Sequence, residues 1–292
     1  MDVDEIINKL AEDTDVFPKE ALQHAALKKD EIIPHLIKGI QDASDRKINS
    51  RSNLPCLSVL LLSQFQCQES HEALCKLMKI PHEKDNDYLY AILDDLLCEN
   101  MPSVLANTYN GDMKHIESII DCEEANVFAR GAAMTSLVLL VLTNVIPRDM
   151  VINYFETLLK NGMKSYDIVE LNSMLIKRCY QLQAKELLPL IKLKYDEGLV
   201  DKREVPFDQN MPRPSKWWYD MKINCTRDTI EILHYWADAK TEVVKPALPK
   251  NAAKLVNSNH TVMVVNHGDS YNNIPKNKRK KKKKNRVARS IQ

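Results

Sequence analysis

Glu124 to Lys160 reads EANVFARGAAMTSLVLLVLTNVIPRDMVINYFETLLK, and its pattern decides the fold class. From about Ala125 to Thr143 the chain is almost continuously apolar, through Phe128, Ala132, Met134, Leu137, Leu139, Leu140 and Val141. Asn144-Val145-Ile146-Pro147 interrupts it. A second stretch then opens near Pro147, whose missing N–H costs nothing in a first helical turn. It carries Met150, Val151, Tyr154, Phe155, Leu158 and Leu159 at spacings of three and four, and Asn161-Gly162 offers a left-handed end. Two helices back to back in under forty residues form the unit of an α-solenoid.

Similar units lie on either side. Upstream, the spacing predicts a short helix over 4–11, a helix opened by Pro18, and a third capped by Asp30 with Pro34 in its first turn. A polar linker over 42–53 follows. Hairpins are then expected over 54–65 with 70–80, from Asp87 through Leu97 with Pro102 to Tyr109, over the stretch quoted above, and over 166–182 with 184–197. A short extra helix, Met113 to Ile120, sits behind Gly111-Asp112. First-helix starts near 54, 87, 125 and 166 are 33 to 41 residues apart. Each helix has one apolar stripe, so stacking would bury a continuous core. Pro189 should start or kink its helix, and Glu197-Gly198-Leu199 has the form of a Schellman end. The expected architecture is an all-α, HEAT-like superhelix over 1–200. A capping helical segment over 201–240, a flexible linker over 241–275 and a basic tail over 276–292 complete it.

Composition narrows the function classes. Of 292 residues, 44% are hydrophobic, enough for a substantial core, and only six are glycine, which leaves no phosphate-cradling loop. The formal net charge of +1 hides a split. Residues 276–292 hold ten Lys or Arg and no acid; residues 1–275 hold 31 basic against 40 acidic, about −9. Seven cysteines with no C-x-x-C pair point to reduced thiols and a cytosolic or nuclear setting. The acidic N-terminus MDVDEIINKL lacks the apolar core of a secretory signal. Ala132 to Ile146 is shorter than the ~20 residues of a membrane span and contains Thr135, Ser136, Thr143 and Asn144, so it reads as a buried helix.

Four segments carry a resemblance: Phe17-Pro18-Lys19-Glu20-Ala21-Leu22, Asp94-Asp95-Leu96-Leu97, Leu105-Ala106-Asn107-Thr108-Tyr109-Asn110-Gly111-Asp112, and Tyr195-Asp196-Glu197-Gly198-Leu199-Val200-Asp201. In these the chain resembles a bacterial family of helical-repeat proteins of unknown function over roughly residues 5–205. The resemblance implies a HEAT-like superhelix and no established activity. Many relatives end in a zinc-binding SEC-C knuckle. The tail here has no Cys or His, so zinc binding there is not implied.

The tail is the main functional signal. Lys276, Lys278, Arg279, Lys280, Lys281, Lys282, Lys283, Lys284, Arg286 and Arg289 cannot pack into a core, because desolvating an unpaired ammonium costs several kcal/mol. Three readings stand: a nuclear or nucleolar import signal read by an import carrier, a sequence-blind nucleic-acid contact, and a solvated tail without a specific partner. Import has meaning only in a eukaryotic cell; with the bacterial resemblance it implies delivery into a host, whereas in the bacterium the protein is expected to be cytoplasmic. Trp217-Trp218-Tyr219, among Arg213, Lys216 and Lys222, is expected to cap the open end of the stack rather than stack bases. His71-Glu72-Ala73-Leu74-Cys75 begins like a zinc-protease helix but has Cys where the second His belongs, so His71 and His82 read as surface polar residues. Asp85-Asn86-Asp87 lacks the Gly and distal Glu of a calcium loop, and capping by Asp85 or Asn86 is expected; Asp94-Asp95 is expected to face solvent or a groove. No catalytic residue, metal ligand or cofactor site is expected. The anticipated activity is a non-enzymatic scaffold holding a protein on its concave helical surface, with nucleic-acid binding as the alternative.

Overall fold

In the computed structural model the described residues are 1–211, apart from 15, 17 and 86, together with 229, 230 and 233. The chain divides into two units, Met1–Val244 and Lys245–Gln292, and all described residues belong to the first. They form an all-α, solenoid-like stack.

Helices α1 (Val3–Ala11) and α2 (Lys19–Leu27) lead into α3 (Lys29–Ser44). Asp2 and Glu5 close a capping box on α1, satisfying two orphan donors at once. The expected cap at Asp30 is not formed: only Lys28 separates α2 from α3, so the helix is already turning when Asp30 is reached. α3 also runs to Ser44, three residues into the expected linker.

The hairpins follow: α4 (Leu54–Gln64) with α5 (His71–Met78), then α6 (Tyr88–Leu93), α7 (Leu96–Glu99) and α8 (Met101–Asn107). The single helix expected from Asp87 to Leu97 is broken at Asp94, which takes φ +47°. Next come α9 (Met113–Ile120), α10 (Val127–Leu142), α11 (Arg148–Asn161), α12 (Ile168–Gln181) and α13 (Leu188–Asp196). Pro189 sits in the first turn of α13 and so starts that helix rather than kinking it.

Packing follows the apolar stripes. α4, α8, α10 and α12 touch in succession as one layer, while α3, α5 and α9 line up behind, as do α11 and α13. α1 and α2 close the side of α3 and α4. α10 is covered by α7, α8, α9, α11 and α12, and all its residues are buried except Phe128, Val141 and Leu142. That explains a helix apolar on every side in a chain with no membrane-length helix among the described residues. Gly131 leaves room for a side chain of α12: a Cβ there would collide with Met174 Sδ.

The core extends past α13 to Val200, Val205 and Met211. Of the segment expected to cap the stack, only Thr229, Ile230 and Leu233 are described. Thr229 N–H donates to Gln64 Oε1 at 2.9 Å, and Ile230 and Leu233 pack against the core. The Trp217-Trp218-Tyr219 cluster with Arg213, Lys216 and Lys222, the linker over 241–275 and the basic tail lie outside the described residues.

Candidate interaction surface

The described part of the chain offers one built polar feature that links several repeats. It grows from the helix starts. Asp87, Asn126 and Asp167 stand immediately before α6, α10 and α12. Their side chains accept from the N–H groups of Tyr90 at 2.9 Å, Phe128 at 2.8 Å and Glu170 at 3.1 Å. Each therefore satisfies a donor that the first helical turn leaves free. Asp87 is the cap here, not Asp85 or Asn86 as the sequence suggested, because α6 begins one residue later than a cap at Asn86 requires.

The caps also bind one another. Asn126 Nδ2 donates to Asp87 Oδ2 at 2.8 Å, and Val127 N–H donates to the Tyr166 hydroxyl at 3.0 Å. His82 N–H donates to Glu124 O at 2.7 Å, beside an isolated antiparallel bridge between Pro81 and Ala125. Further along, Tyr88 Oη donates to Ile48 O at 2.9 Å, and Arg46 pairs with Glu83 at 2.5 Å while lying 5.4 Å from the Tyr88 ring centre. The loops 46–53, 82–87, 121–126 and 163–167 are thus fastened by hydrogen bonds that each span about one repeat.

His82 is the centre of this node. Its Nδ1 lies 2.5 Å from Asp87 Oδ2, and its ring stacks on Tyr166 with centres 4.1 Å apart and planes at 16°. Burial pushes the Asp87 carboxyl up, but hydrogen bonds from Tyr90 N–H, Asn126 and His82 outweigh it and hold the group below its ordinary value. His82 is therefore a partly buried structural partner, not the free surface histidine the sequence suggested.

Three aromatic residues close to these caps along the chain are not taken up by the core. Tyr90 is 47% exposed, Phe128 41% and Tyr166 53%, and they lie at intervals of 38 residues. Each is within one helical turn of a hydrogen-bonded cap or, for Tyr166, in it. Asp94 and Asp95 are exposed, as expected. The spacing of Tyr90, Phe128 and Tyr166 was visible in the sequence; that they escape burial was not.

His71 also departs from expectation. It is fully buried, with Nδ1 3.3 Å from Thr108 Oγ1 and Nε2 3.6 Å from Cys75 Sγ. Burial first, then His115, lowers its pKa to about 4, and burial pushes the Cys75 thiol up to about 12. A neutral imidazole facing a protonated thiol is a packing pair, without the thiolate that nucleophilic chemistry needs. Cys179 is likewise buried, with its thiol pushed up. Cys67, Cys75 and Cys179 are buried free thiols, as expected, but Cys98 is exposed; Cys225 lies outside the described residues. Among the described residues no His, Cys, Asp and Glu group is placed to hold a metal ion.

Two relatives match most of the stack: uncharacterized proteins of Chlamydia muridarum, 28% identical over 207 residues, and of Chlamydia trachomatis serovar D, 28% identical over 206. Each alignment covers 69% of this chain, and respectively 80% and 79% of the relative. No solved structure matches. A family model described as a protein of unknown function (DUF1186) matches residues 1–209, from α1 through the last core contacts beyond α13, and the chain belongs to that family.

Proposed function

We propose that the protein is a non-enzymatic interaction scaffold, in which the helical stack holds a protein partner and the basic tail sets where the complex goes. The observation that carries this reading is the cap-linked edge: exposed aromatic side chains held on a rigid, hydrogen-bonded frame. Such residues dominate protein interfaces when their surroundings are preorganised. The tail, Lys276, Lys278 to Lys284, Arg286 and Arg289, supports a nuclear or nucleolar signal engaged by an import carrier. A bacterial family and an import-type tail meet in a protein delivered into a eukaryotic host cell. The second reading, nucleic-acid binding anchored by the tail, is favoured by the same ten cationic residues.

Affinity purification from an extract of the producing cells, analysed by mass spectrometry, separates the two. The full chain and a variant with Lys278 to Lys284 replaced by Gln should retain the same protein after nuclease treatment. Loss of that protein in the variant, or after nuclease alone, would overturn the scaffold reading in favour of nucleic acid. Fused to a fluorescent protein in a eukaryotic cell, residues 270–292 should direct it to the nucleus; a cytoplasmic pattern would remove the import role.

A further inference from the structure

We propose that the segment carrying Thr229, Ile230 and Leu233 is an autoinhibitory contact: it fills, within its own chain, a seat for an amphipathic helix at the C-terminal end of α4, which a partner's helix takes when the segment leaves. The proposal rests on the scaffold reading and names the class of its partner.

The seat begins with α4. From Leu57 to Ser63 every residue of this helix is buried, so it is covered on all sides. Its last residue, Gln64, is only partly buried, and Gln64 Oε1 accepts the Thr229 N–H at 2.9 Å. The end of α4 is fixed in place, because Asn107 Nδ2 at the end of α8 donates to Ser63 Oγ at 3.2 Å. Thr229, Ile230 and Leu233 are helical, and their spacing sets them on one helix face. Thr229 is fully buried, and Ile230 and Leu233 pack against the core. The contact is thus a largely apolar helical face laid on a fixed surface, with one polar bond to set its register.

The segment has come back across the stack to reach this place. Asp208 N–H donates to the Tyr180 hydroxyl at 3.1 Å, and the O of Met211, itself buried, accepts from Gln183 Nε2, so the chain is held beside the end of α12 here. α10 and α8 lie between α12 and α4. Three helix-to-helix steps amount to roughly 24–30 Å. The 18 residues from 211 to 229 span about 27 Å even when helical, and more when extended.

Two observations make this occupant replaceable. Thr229 Oγ1 is buried without a hydrogen-bond partner, an uncompensated desolvation that an apolar side chain at the same position avoids. The family model ends at residue 209, so the stack that the family shares does not include the segment. A partner's helix with apolar residues three and four apart takes the same seat, in competition with a tethered copy whose effective concentration is high.

The test uses the full chain, with Ile230→Asp/Leu233→Asp to empty the seat, and a fluorescein-labelled peptide of residues 226–240 as the stand-in for the partner. By anisotropy the variant should bind the peptide about tenfold or more tighter than wild type, whose own segment competes. A peptide with the same two substitutions should bind neither chain, and Gln64→Ala added to the variant should weaken binding about threefold. Thermal unfolding checks that the stack is preserved. Equal binding by wild type and variant, or binding by neither, would overturn the proposal. So would a wild type that is dimeric by light scattering beside a monomeric variant, which would assign the segment to the seat of a second copy. In the purification above, the variant should retain more of the partner than wild type; equal retention would remove the inhibitory role. A protein retained by neither chain would sink the scaffold reading, while the peptide titration still decides whether the seat exists.

Discussion

His71 shows how much a single residue's role depends on its surroundings. Thr108 Oγ1 donates its proton to Val104 O at 2.8 Å, so toward His71 it accepts, and the imidazole proton sits on Nδ1. Nε2 then takes the Cys75 S–H. The pair is complete only while the ring is neutral; a second ring proton would be buried against a thiol sulfur, which accepts only weakly, and beside His115. The consequence is acid sensitivity. With a folded pKa of about 4 against ~6.5 unfolded, the unfolded chain binds the extra proton first as pH falls. Stability contributed by the neutral ring is thus complete above ~6.5 and lost progressively toward pH 4, by about 3 kcal/mol at most. Urea unfolding at pH 7, 5.5 and 4.5 should show His71→Gln less stable than wild type at pH 7 but flatter across this interval. Parallel curves would place the acid sensitivity elsewhere. In the sequence, His71 sits beside Glu69 and Glu72 and looked like surface; only the approach of α8 and α9 buries it.

At the scale of elements, one terminator recurs. After α13, Gly198 at φ +74° completes a Schellman end, with Leu199 N–H donating to Lys194 O at 3.0 Å and Gly198 N–H to Tyr195 O at 3.2 Å. This end was legible because glycine marks it. The same bond pair closes α3, α4, α10 and α12, but the left-handed residue there is Arg46, Gln66, Asn144 or Gln183. Without glycine those ends could not be read, and this is why helix limits were less legible than helix positions. Left-handed backbone costs a non-glycine residue about 1 kcal/mol. Gln66 is exposed, at φ +51°, with Cys67 N–H donating to Leu62 O at 3.0 Å. Gln66→Gly is therefore expected to stabilise by roughly 0.5–1 kcal/mol, and Gly198→Ala to destabilise by about 1 kcal/mol, both read as shifts in denaturant midpoint at constant slope. A Gln66→Gly variant no more stable than wild type would mean that its backbone strain is relieved by other means. Arg130 illustrates the opposite case, a charged residue where apolar periodicity expects none. Its guanidinium, buried in α10, donates to Ile120 O at 2.7 Å and to Lys164 O at 2.6 Å, satisfying carbonyls from two neighbouring segments.

Across the whole molecule, apolar periodicity was enough to place the stack, because each helix has one partner-facing stripe and α10 has no solvent-facing side for most of its length. The cap-linked edge was less legible, since its bonds join residues about 39 apart and no local pattern announces them. Charge is the one global property that the fold leaves unbalanced: about −9 over residues 1–275 against ten cationic side chains in 276–292. That separation has a thermodynamic signature. If about six of the cationic residues neutralise phosphates on duplex DNA, the logarithm of the binding constant should fall with the logarithm of salt concentration at a slope near −5. Replacing Lys278 to Lys284 with Gln removes seven of the ten charges and leaves the acidic body to repel the duplex. Fluorescence anisotropy with a labelled random-sequence duplex, between about 50 and 200 mM salt, should therefore give a steep slope for the full chain and no measurable binding for the variant. A shallow slope, or a variant that binds as well as the full chain, would show that the tail meets no phosphate backbone. The cationic run would then be left to act through protein acceptors alone, such as the acidic grooves of import carriers.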